Sequence, residues 1–546
     1  MHLNELTGHS EAAATNKKHT GADAMAIEAN ANSSPSCSAP LLQTPDILLW
    51  QVHARDNVAV ALQQLDAGLV LSTNSGDIRL PAEVPAGHKF ALTPLQAGDS
   101  VIKYGYAIGV LTQDVPAGGH IHSHNLKTAL DGELAYQYQG LTADNGSYPS
   151  DLPTEFMGYP RANGEAGTRN ELWILNTVGC VNQAASRIAK AAQQYVESAG
   201  LANIDGVFAY THPFGCSQLG DDLAHTRSVL AGLAQNPNAG AVLIIGLGCE
   251  NNQLATLLMG LEHLDPARIR AFNAQQVTDE DEEGLKAAIE LLQLMQQDSR
   301  QPCPVSKLSF GMKCGGSDGF SGLTANPLVG QIADLAASAG AKVILTETPE
   351  MFGAEQVLMA RARTGEVFTD IVNLVNEFKQ YFIANNQPVY ENPSPGNKAG
   401  GLTTLEEKSL GAIQKGGSAV VEQVIGYGER AQVPGLTLLQ GPGNDAVSST
   451  ALTAAGATLL LFTTGRGTPL GFPVPTVKIS SNSALAVRKP TWIDYDAGAM
   501  LQPGVQPTEF AKEFFRYLVA VASGARTRNE IYQNKEIAIW KNGVTL

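Results

Sequence analysis

The chain has 546 residues, of which 44% are hydrophobic and 16% charged, and its formal net charge is -16. This length allows about three domains and a large core, at roughly 100–200 residues per domain. The acidic balance argues against nucleic acid as a partner, since nucleic-acid binding needs a basic face. No run of about 18 apolar residues is found, which predicts no transmembrane helix and no membrane partner.

Residues 1–45 are rich in Ala, Ser, Thr and Asn and lack the apolar core of a secretory signal. We therefore expect a disordered extension. Six cysteines in a chain of this length do not suggest a disulfide framework, so a reducing, cytoplasmic setting is expected.

The next region contains short apolar segments separated by Gly and Pro, at 58–62, 69–71, 89–92, 101–104 and 108–111. Turn signals of the type Pro-Ala-Gly lie at 85–87 and 116–118. This pattern predicts a small β-rich domain over residues 46–125, followed by a polar linker over 126–156. We find no short-period repeat.

From about residue 157, buried strands alternate with helices. Strands are predicted at 172–178, 206–211, 241–246, 308–312, 342–346, 437–440 and 458–462, and helices at 183–198, 221–234, 253–261, 327–339 and 446–455. The alternation indicates parallel sheets with helices on their faces. A polar segment at 296–304 separates two α/β domains, 157–297 and 305–546.

Four cysteines, Cys180, Cys216, Cys249 and Cys314, each lie beside Gly just past the carboxyl end of a predicted strand. Ligands bind at this edge of open α/β sheets, and thiolates bind iron and zinc well. The alternative is that each cysteine is a small buried apolar residue. The spacing is not that of a Cys-x-x-Cys metal site.

A second signal is the trio His120, His122 and His124. In an extended chain their side chains all point to one face. Imidazole is a common metal ligand and a good acid or base near neutral pH. We therefore predict a metal-binding or catalytic role, against the alternative of a polar strand at the edge of the domain.

Loops rich in Gly, Asn, Arg and Lys follow several strands, at 161–169, 315–326, 392–401, 441–445 and 464–469. Within or near them, Arg169, Lys398, Lys415 and Arg466 are able to pair with a carboxylate. Several such loops favour recognition of a polyhydroxy acid. The chain has no P-loop spacing and no convincing Gly-x-Gly-x-x-Gly, so a dinucleotide cofactor is not expected.

Several of these segments resemble the altronate/galactarate dehydratase family. They are 167–175, 215–222, 245–253, 314–319, 350–355, 391–398 and 464–469. The resemblance extends from about residue 50 to the C-terminus, and motifs of this length are highly specific. One position departs from the pattern: Ala412 stands where altronate dehydratases can carry Cys. The galactarate branch also has another residue there, so we treat that Cys as non-essential.

The resemblance implies a small N-terminal β domain of the SAF type followed by a two-part α/β dehydratase region. It also implies dehydration of D-altronate to 2-dehydro-3-deoxy-D-gluconate in hexuronate (galacturonate) catabolism. The implied cofactor is Fe²⁺, with Mn²⁺ as the alternative. The expected partner is a small sugar acid, and we expect a homo-oligomer.

Dehydration removes the proton at C2 and expels hydroxide from C3, which requires a base, an acid and stabilisation of the enediolate by a metal. Our hypothesis assigns His122, His212 and Lys415 to catalysis, Arg169, Asn397, Lys398 and Arg466 to substrate binding, and His120, His122, His124, Cys249 and Cys314 to the metal.

Three alternatives stay open. In the first, the substrate is a related acid, such as galactarate or a sulfo-lactate. In the second, the enzyme is an iron–sulfur hydro-lyase in which three cysteines hold a cluster. In the third, the chain is a sugar-acid sensor, although the basic DNA-binding segment that such a regulator usually needs is missing.

Overall fold

The computed structural model describes residues 48–74, 76–130, 136–138, 140–141, 144–261 and 264–546. The predicted extension at 1–45 lies outside these residues. Among the described helices, none combines the length and apolar character that crossing a membrane requires.

The N-terminal β domain is built from short antiparallel strands. They are β1 (Leu49–Trp50), β2 (Val58–Ala61), β3 (Val70–Thr73), β4 (Gly76–Arg79), β5 (Lys89–Ala91), β6 (Ser100–Lys103), β7 (Tyr106–Leu111), β8 (His120–Ile121) and β9 (Leu126–Lys127). They form sheets of order β1-β2-β5-β8, β3-β4 and β6-β7-β9. The alternation of apolar residues buries Ala59, Ala61 and Phe90 in a core of their own. The predicted β-rich domain is confirmed.

Four turns of one composition connect these strands. Each has the form Xaa-Ala-Gly and ends on Gly68, Gly87, Gly98 or Gly118, and each of these glycines has a positive φ between 78° and 95°. A type II turn requires this conformation at its third residue, where Gly is preferred. The turns recur at unequal intervals, because strands of unequal length separate them, so they do not form a repeat of fixed period.

The first α/β domain follows. Its elements are β10 (Glu155–Pro160), β11 (Ala166–Gly167), β12 (Glu171–Asn176), α1 (Asn182–Ala199), β13 (Gly206–Tyr210), α2 (Gly220–Ala234), β14 (Ala239–Gly246), α3 (Leu254–Met259), β15 (Ile269–Asn273), α4 (Glu280–Met295) and β16 (Gln301–Pro304). The main sheet is parallel, in the order β13-β12-β14-β15. Helices α1 and α4 cover one face, and α2 lies on the other.

The second α/β domain is larger. Its strands are β17 (Ser309–Cys314), β18 (Lys342–Leu345), β19 (Val421–Ile425), β20 (Gly435–Leu439), β21 (Leu459–Thr464), β22 (Thr476–Ser480) and β23 (Tyr495–Asp496). Its helices are α5 (Ala325–Ser338), α6 (Glu355–Met359), α7 (Gly365–Ala384), α8 (Pro395–Ala399), α9 (Leu405–Ala412), α10 (Asp445–Ala454), α11 (Ser483–Arg488), α12 (Pro507–Ala522) and α13 (Arg528–Ile531). All seven strands are parallel, in the order β19-β20-β18-β17-β21-β22-β23.

This order places β17 and β18 side by side near the centre of the sheet. Side chains alternate along buried strands, so Phe310 and Met312 face the core with α5 and α12, whereas Leu460 and Phe462 face α10 and α2. With both faces covered, the carboxyl edge is the side of the central strands where a pocket can form.

Candidate active site

A buried charged cluster occupies the carboxyl ends of β17 and β18. Lys313 and Cys314 are the last residues of β17, and both are buried. Strand β18 ends at Leu345, and the chain continues to Glu347, which has no exposed surface. Charged side chains this deep persist only when they are paired, so their partners define the site.

Glu347 is held in an unusual backbone conformation. Its φ of 71° and ψ of 59° lie in the left-handed region, which costs a non-glycine residue about 1–3 kcal/mol. The carboxylate pairs with the ammonium of Lys313 and accepts a 3.1 Å hydrogen bond from the amide of Cys314. These contacts hold the strained turn and aim the carboxylate back at the end of β17.

A second carboxylate, Glu350, meets the thiol of Cys314. The Cys314 Sγ donates to Glu350 Oε2 at 2.9 Å, and Lys408 Nζ lies 2.8 Å from Glu350 Oε1. Burial, followed by the charges of Glu347 and Glu350, raises the pKa of Cys314 to about 12. The thiol is therefore protonated at neutral pH.

Lys415 closes the cluster. Its Nζ lies 2.7 Å from Cys314 Sγ and 3.3 Å from Glu347 Oε2. Lys313 also pairs with Asp445 at 2.8 Å. The three ammonium groups of Lys313, Lys408 and Lys415 thus at least balance the charge of the carboxyl groups of Glu347, Glu350 and Asp445.

The pKa values of the two glutamates of the cluster are shifted in opposite directions. Burial opposes ionisation of Glu350, but the ammonium groups of Lys408 and Lys415 outweigh it and lower its pKa to about 2. For Glu347, burial together with the charge of Glu350 raises the pKa. A neighbouring pair of carboxyl groups with opposite shifts is the arrangement that separates proton donor from acceptor.

Cys314, Glu347 and Glu350 also place one potential ligand atom each within 4.8 Å of one another, the one such trio of His, Cys, Asp or Glu in the part of the chain that the structure describes. Lys415 already contacts two of these three groups. Because the ammonium groups balance the carboxylates here, charge alone does not call for a metal ion.

Four imidazoles gather at the edge of the β domain. In the register of β5 with β8, Phe90 pairs with His120, which sets His88 beside His122. The rings of these two histidines stack 4.9 Å apart, and His88 Nδ1 lies 3.1 Å from His120 Nε2. His124 is exposed, with its ring 5.6 Å from that of His120. The chain is extended only to Ile121 and then turns, so the condition of an extended chain through His124 is not met.

Hydrogen bonds fix one tautomer of His122. Its Nε2 donates to the carbonyl of Lys398 at 2.9 Å, which leaves Nδ1 as the acceptor for the Ser123 hydroxyl at 3.0 Å. Burial lowers the pKa of His88 and of His122, and burial with the neighbouring imidazoles lowers that of His120 to about 4. Neutral imidazole is the form that binds metals or accepts protons.

The β domain is tied to the second α/β domain by a buried ionic contact, which we call the clamp and define as Lys89, Lys103 and Glu407. Glu407 lies 2.9 Å from Lys89 Nζ and 2.8 Å from Lys103 Nζ, and all three side chains are at most 1% exposed. Lys89 also donates to the carbonyl of Gly401 at 3.1 Å. Since Lys89 follows His88 and Glu407 precedes Lys408, the clamp joins the start of β5, next to His88, to helix α9, which carries Lys408.

A small cavity lies between these parts. It is lined by Tyr104 of the β domain and by Ser317, Asp318, Lys408 and Ala412. The Tyr104 hydroxyl is buried and, among the described residues, makes no hydrogen bond of normal geometry. The cavity therefore offers an unpaired donor to a polar molecule beside Lys408.

Three of the predicted substrate-binding residues meet beside this cavity. Asn397 donates to the carbonyl of Ser317 at 2.8 Å and accepts from Lys408 Nζ at 3.2 Å. Lys398 follows it in α8. The exposed Arg466 donates to the carbonyl of Gly396 at 3.2 Å. These hydrogen bonds join helix α8 to the turn at 316–318 and to the loop after β21.

Arg169, the fourth predicted substrate-binding residue, does not lie beside the cavity but near the amino end of β21. Its guanidinium pairs with Glu530 at 2.6 Å, and the neighbouring Thr168 donates to the carbonyl of Thr458, at the amino end of β21. Cys314 lies at the opposite, carboxyl edge, roughly 16 Å along a six-residue strand. The predicted substrate-binding role of Arg169 is not supported by this placement, because its donors are used to hold the C-terminal segment.

His212 and Cys249 lie at the carboxyl edge of the first α/β domain. His212 Nε2 donates to the carbonyl of Asn176 at 2.8 Å, and Nδ1 accepts from the amide of Phe214 at 3.2 Å. A base role would require the imidazole to give up one of these bonds. Cys249 is exposed and accepts from Gln275 at 3.5 Å, with no contact to Cys314.

The sequence-based prediction missed several residues of the site: His88, Lys313, Glu347, Glu350 and Lys408. Two signals were available. Lys313 is a charged residue within a buried strand, and His88 follows the same Pro-Ala-Gly turn that precedes His120. Glu350 lies within a segment that carries the family resemblance. Nothing in the local sequence marks Glu347.

Comparison with known proteins assigns all three regions. The SAF-domain model of altronate/galactarate dehydratases matches residues 48–129, which is the β domain. The model of the second domain of D-galactarate dehydratase/altronate hydrolase matches 158–299, and that of the C-terminal domain of D-galactarate/altronate dehydratase matches 305–545.

Curated relatives match over most of their length. The chain is 50% identical to altronate dehydratase of Escherichia coli (strain K12) over 91% of this chain and 99% of that protein. It is 48% identical to altronate dehydratase of Bacillus subtilis (strain 168), with the same coverage. Galactarate dehydratase (L-threo-forming) of Escherichia coli (strain K12) is 33% identical over 89% of this chain and 94% of its own length.

Proposed function

The chain belongs to the D-galactarate/altronate dehydratase family, and from that premise we propose that it is a hydro-lyase that converts D-altronate to 2-dehydro-3-deoxy-D-gluconate and water. The observation in the structure that carries the proposal is the buried pair Glu347 and Glu350, whose carboxyl groups contact three buried ammonium groups. The higher identity to two altronate dehydratases than to the galactarate enzyme favours altronate as substrate.

The reaction breaks the C2–H bond and the C3–O bond. The proton at C2 goes to a base, and the hydroxyl at C3 leaves as water after it receives a proton. The enol that forms becomes the 2-keto acid. Negative charge develops on the substrate carboxylate and C2 in the transition state, so fixed positive groups beside them accelerate the step.

We assign the base to His122, whose Nε2–H is held by Lys398 and whose Nδ1 would exchange the exposed, rotatable Ser123 hydroxyl for the substrate proton. Glu347, with its raised pKa, is the group that protonates the leaving hydroxyl. Lys415, which lies between Cys314 and Glu347, stabilises the developing charge. The thiol of Cys314 orients Glu350 and stays protonated.

Substrate binding falls to the residues around the cavity. Arg466 and Lys398 are placed to bind the carboxylate, and Asn397 to bind a hydroxyl, because all three lie on loops that contact one another. Tyr104 offers its unpaired hydroxyl from the β domain. The β domain thus forms one wall of the site.

Ferrous iron, with Mn²⁺ as the alternative, is the proposed cofactor. The imidazoles of His88, His120 and His124 suit it, because burial lowers the pKa of His88 and of His120, which favours the neutral, metal-binding form, and their facing nitrogens lie 3.1 Å apart. When bound, the metal would supply Lewis-acid stabilisation of the enediolate. The free state of the five described cysteines favours a cytoplasmic, reducing setting.

The proposal is tested by purifying the full chain anaerobically and assaying a panel of aldonic and aldaric acids for 2-keto product. We expect kcat/KM to be highest for D-altronate and to fall by at least ~10²-fold in Glu347→Gln. The matched control is Glu290→Gln, a side chain in an exposed ion pair on α4. Preference for galactarate, or full activity of Glu347→Gln, would overturn the proposal.

A further inference from the structure

Three exposed cysteines share the carboxyl edge of the first α/β domain. Cys180 follows β12, Cys216 follows β13 and Cys249 follows β14, and these three strands are neighbours in the order β13-β12-β14. Adjacent strands lie about 4.8 Å apart, so their loops emerge side by side. Cysteine is among the residues most often buried, which makes three exposed ones at one edge unusual.

Hydrogen bonds join the three loops directly. The amide of Gly179, next to Cys180, donates to the carbonyl of Phe214 at 2.9 Å. The amide of Asn252, in the loop of Cys249, donates to the carbonyl of Gly215 at 3.0 Å. A Cβ on Gly215 would overlap the carbonyl of Thr177, so this loop packs as tightly as a glycine allows. The loops that carry the cysteines are therefore held together as one surface.

Within the described part of the chain, two buried polar atoms at this edge have no hydrogen-bond partner. Gln218, two residues after Cys216, accepts from the amide of Gly215 at 2.9 Å, yet its Nε2 is unpaired. Asn176, the last residue of β12, leaves its Oδ1 unpaired, and both side chains are at most 3% exposed. A buried polar atom without a partner is costly, so these groups point to a ligand that the protein side chains do not replace.

Two helix N-termini also face this region. Helix α1 begins two residues after Cys180 and α2 begins four residues after Cys216, and neither has a side-chain cap. The N–H groups of such N-termini favour negative charge; α1 continues from a short 3-10 helix at Gly179–Val181, and α2 already has Asp221 and Asp222 in its first turn. Together with the cysteines and the unpaired Nε2 donor of Gln218, they fit an anionic, sulfur-containing group.

We propose that Cys180, Cys216 and Cys249 bind a [4Fe–4S] cluster. The three thiols lose their protons when they bind, and each thiolate ligates one iron, which leaves the fourth iron without a protein thiolate. A single zinc ion fits less well, because its ligand atoms lie within about 4 Å of one another. In the part of the chain that the structure describes, these sulfurs do not form a trio within 4.8 Å.

This site is separate from the histidine site, and cluster binding there does not depend on the identity of the substrate. The cysteines lie on the first α/β domain, whereas the imidazoles belong to the β domain. Iron at the histidines would come without sulfide. The two sites are therefore distinguished by acid-labile sulfide.

The experiment uses the full chain purified without oxygen. Iron and acid-labile sulfide are measured per chain, with visible absorbance and electron paramagnetic resonance after reduction by dithionite. We expect about four sulfides per chain, and their loss in each of Cys180→Ala, Cys216→Ala and Cys249→Ala. The matched control is Cys303→Ala, a free cysteine buried on β16, which should keep its sulfide. Far-UV circular dichroism verifies folding.

A second measurement needs no variant. Iodoacetamide followed by peptide mass spectrometry should modify the three cysteines only after the cluster has been removed by a chelator and an oxidant. Absence of labile sulfide, zinc in place of iron, or equal labelling before and after cluster removal would overturn the inference. Turnover of D-altronate without labile sulfide would refute the cluster and leave the proposed function intact. A cluster without turnover of D-altronate would refute the proposed function and leave the cluster intact.

Discussion

The clamp yields the sharpest prediction. In Glu407→Gln the shape of the side chain is kept, but Lys89 and Lys103 lose the carboxylate that both contact within 2.9 Å. Both ammonium groups are 1% exposed, so they would stay buried without a partner. Removing one partner of a buried ion pair costs about 3–5 kcal/mol. We expect the β domain to dock less tightly by this amount.

Hydrogen exchange measured by mass spectrometry tests this estimate. At 1.36 kcal/mol per factor of ten, amides of β2 and β5 should exchange roughly 150- to 5,000-fold faster in Glu407→Gln. Glu290→Gln is the control, because its partner Arg270 is 3.1 Å away in an exposed pair that contributes less than ~1 kcal/mol. Exchange rates within threefold of the wild type in Glu407→Gln would refute the reasoning.

The pH dependence of the clamp has a definite sign. Burial opposes ionisation of Glu407, but Lys103 and Lys89 outweigh it and hold its pKa below its ordinary value of about 4.3. A lowered folded-state pKa stabilises the protein fully above the unfolded value, and this contribution is lost as the pH falls through the folded one. Protection of β2 and β5 should therefore decline in acid in the wild type, and less so in Glu407→Gln.

Three further substitutions test the site. Glu350→Gln leaves Lys408 without its carboxylate. Steady-state kinetics should therefore show a kcat that is lower by about 10²-fold or more. An unchanged kcat would exclude Glu350 from the site. His120→Ala should lower bound iron, measured by mass spectrometry, with labile sulfide retained; equal iron would place the metal elsewhere. Arg466→Ala should raise KM roughly 10- to 150-fold, because a hydrogen bond to a charged group contributes ~1.5–3 kcal/mol, whereas a drop confined to kcat would contradict a binding role.

The sequence predicts most of the α/β framework. The strand expected at 206–211 is β13 (Gly206–Tyr210), and the helix expected at 183–198 is α1 (Asn182–Ala199). Long helices such as α7 (Gly365–Ala384) were missed, although they are amphipathic. Buried apolar runs bounded by glycine are local signals, so the strands that carry Cys314 and its neighbours were found.

The charged cluster was harder to predict, because its pairings are distant in sequence. Lys415 reaches Cys314 across 101 residues, and Lys313 reaches Glu347 across 34. The left-handed turn at Glu347 is set by those contacts and has no local signature. Arg169 shows the converse: its loop composition suggested an anion site, but only the fold shows that it lies at the amino edge of the strands.

The clamp also has a consequence for synthesis of the chain. Lys103 is 304 residues away from Glu407 in sequence. At about 5–20 residues per second, the ribosome adds this length in roughly 15–60 s. The β domain, which emerges first, therefore carries two lysines that have no carboxylate to pair with until Glu407 has been made. Its final packing is a late event in translation, and a shortened product that ends before Glu407 would present this unfinished surface to the chaperones of the cell.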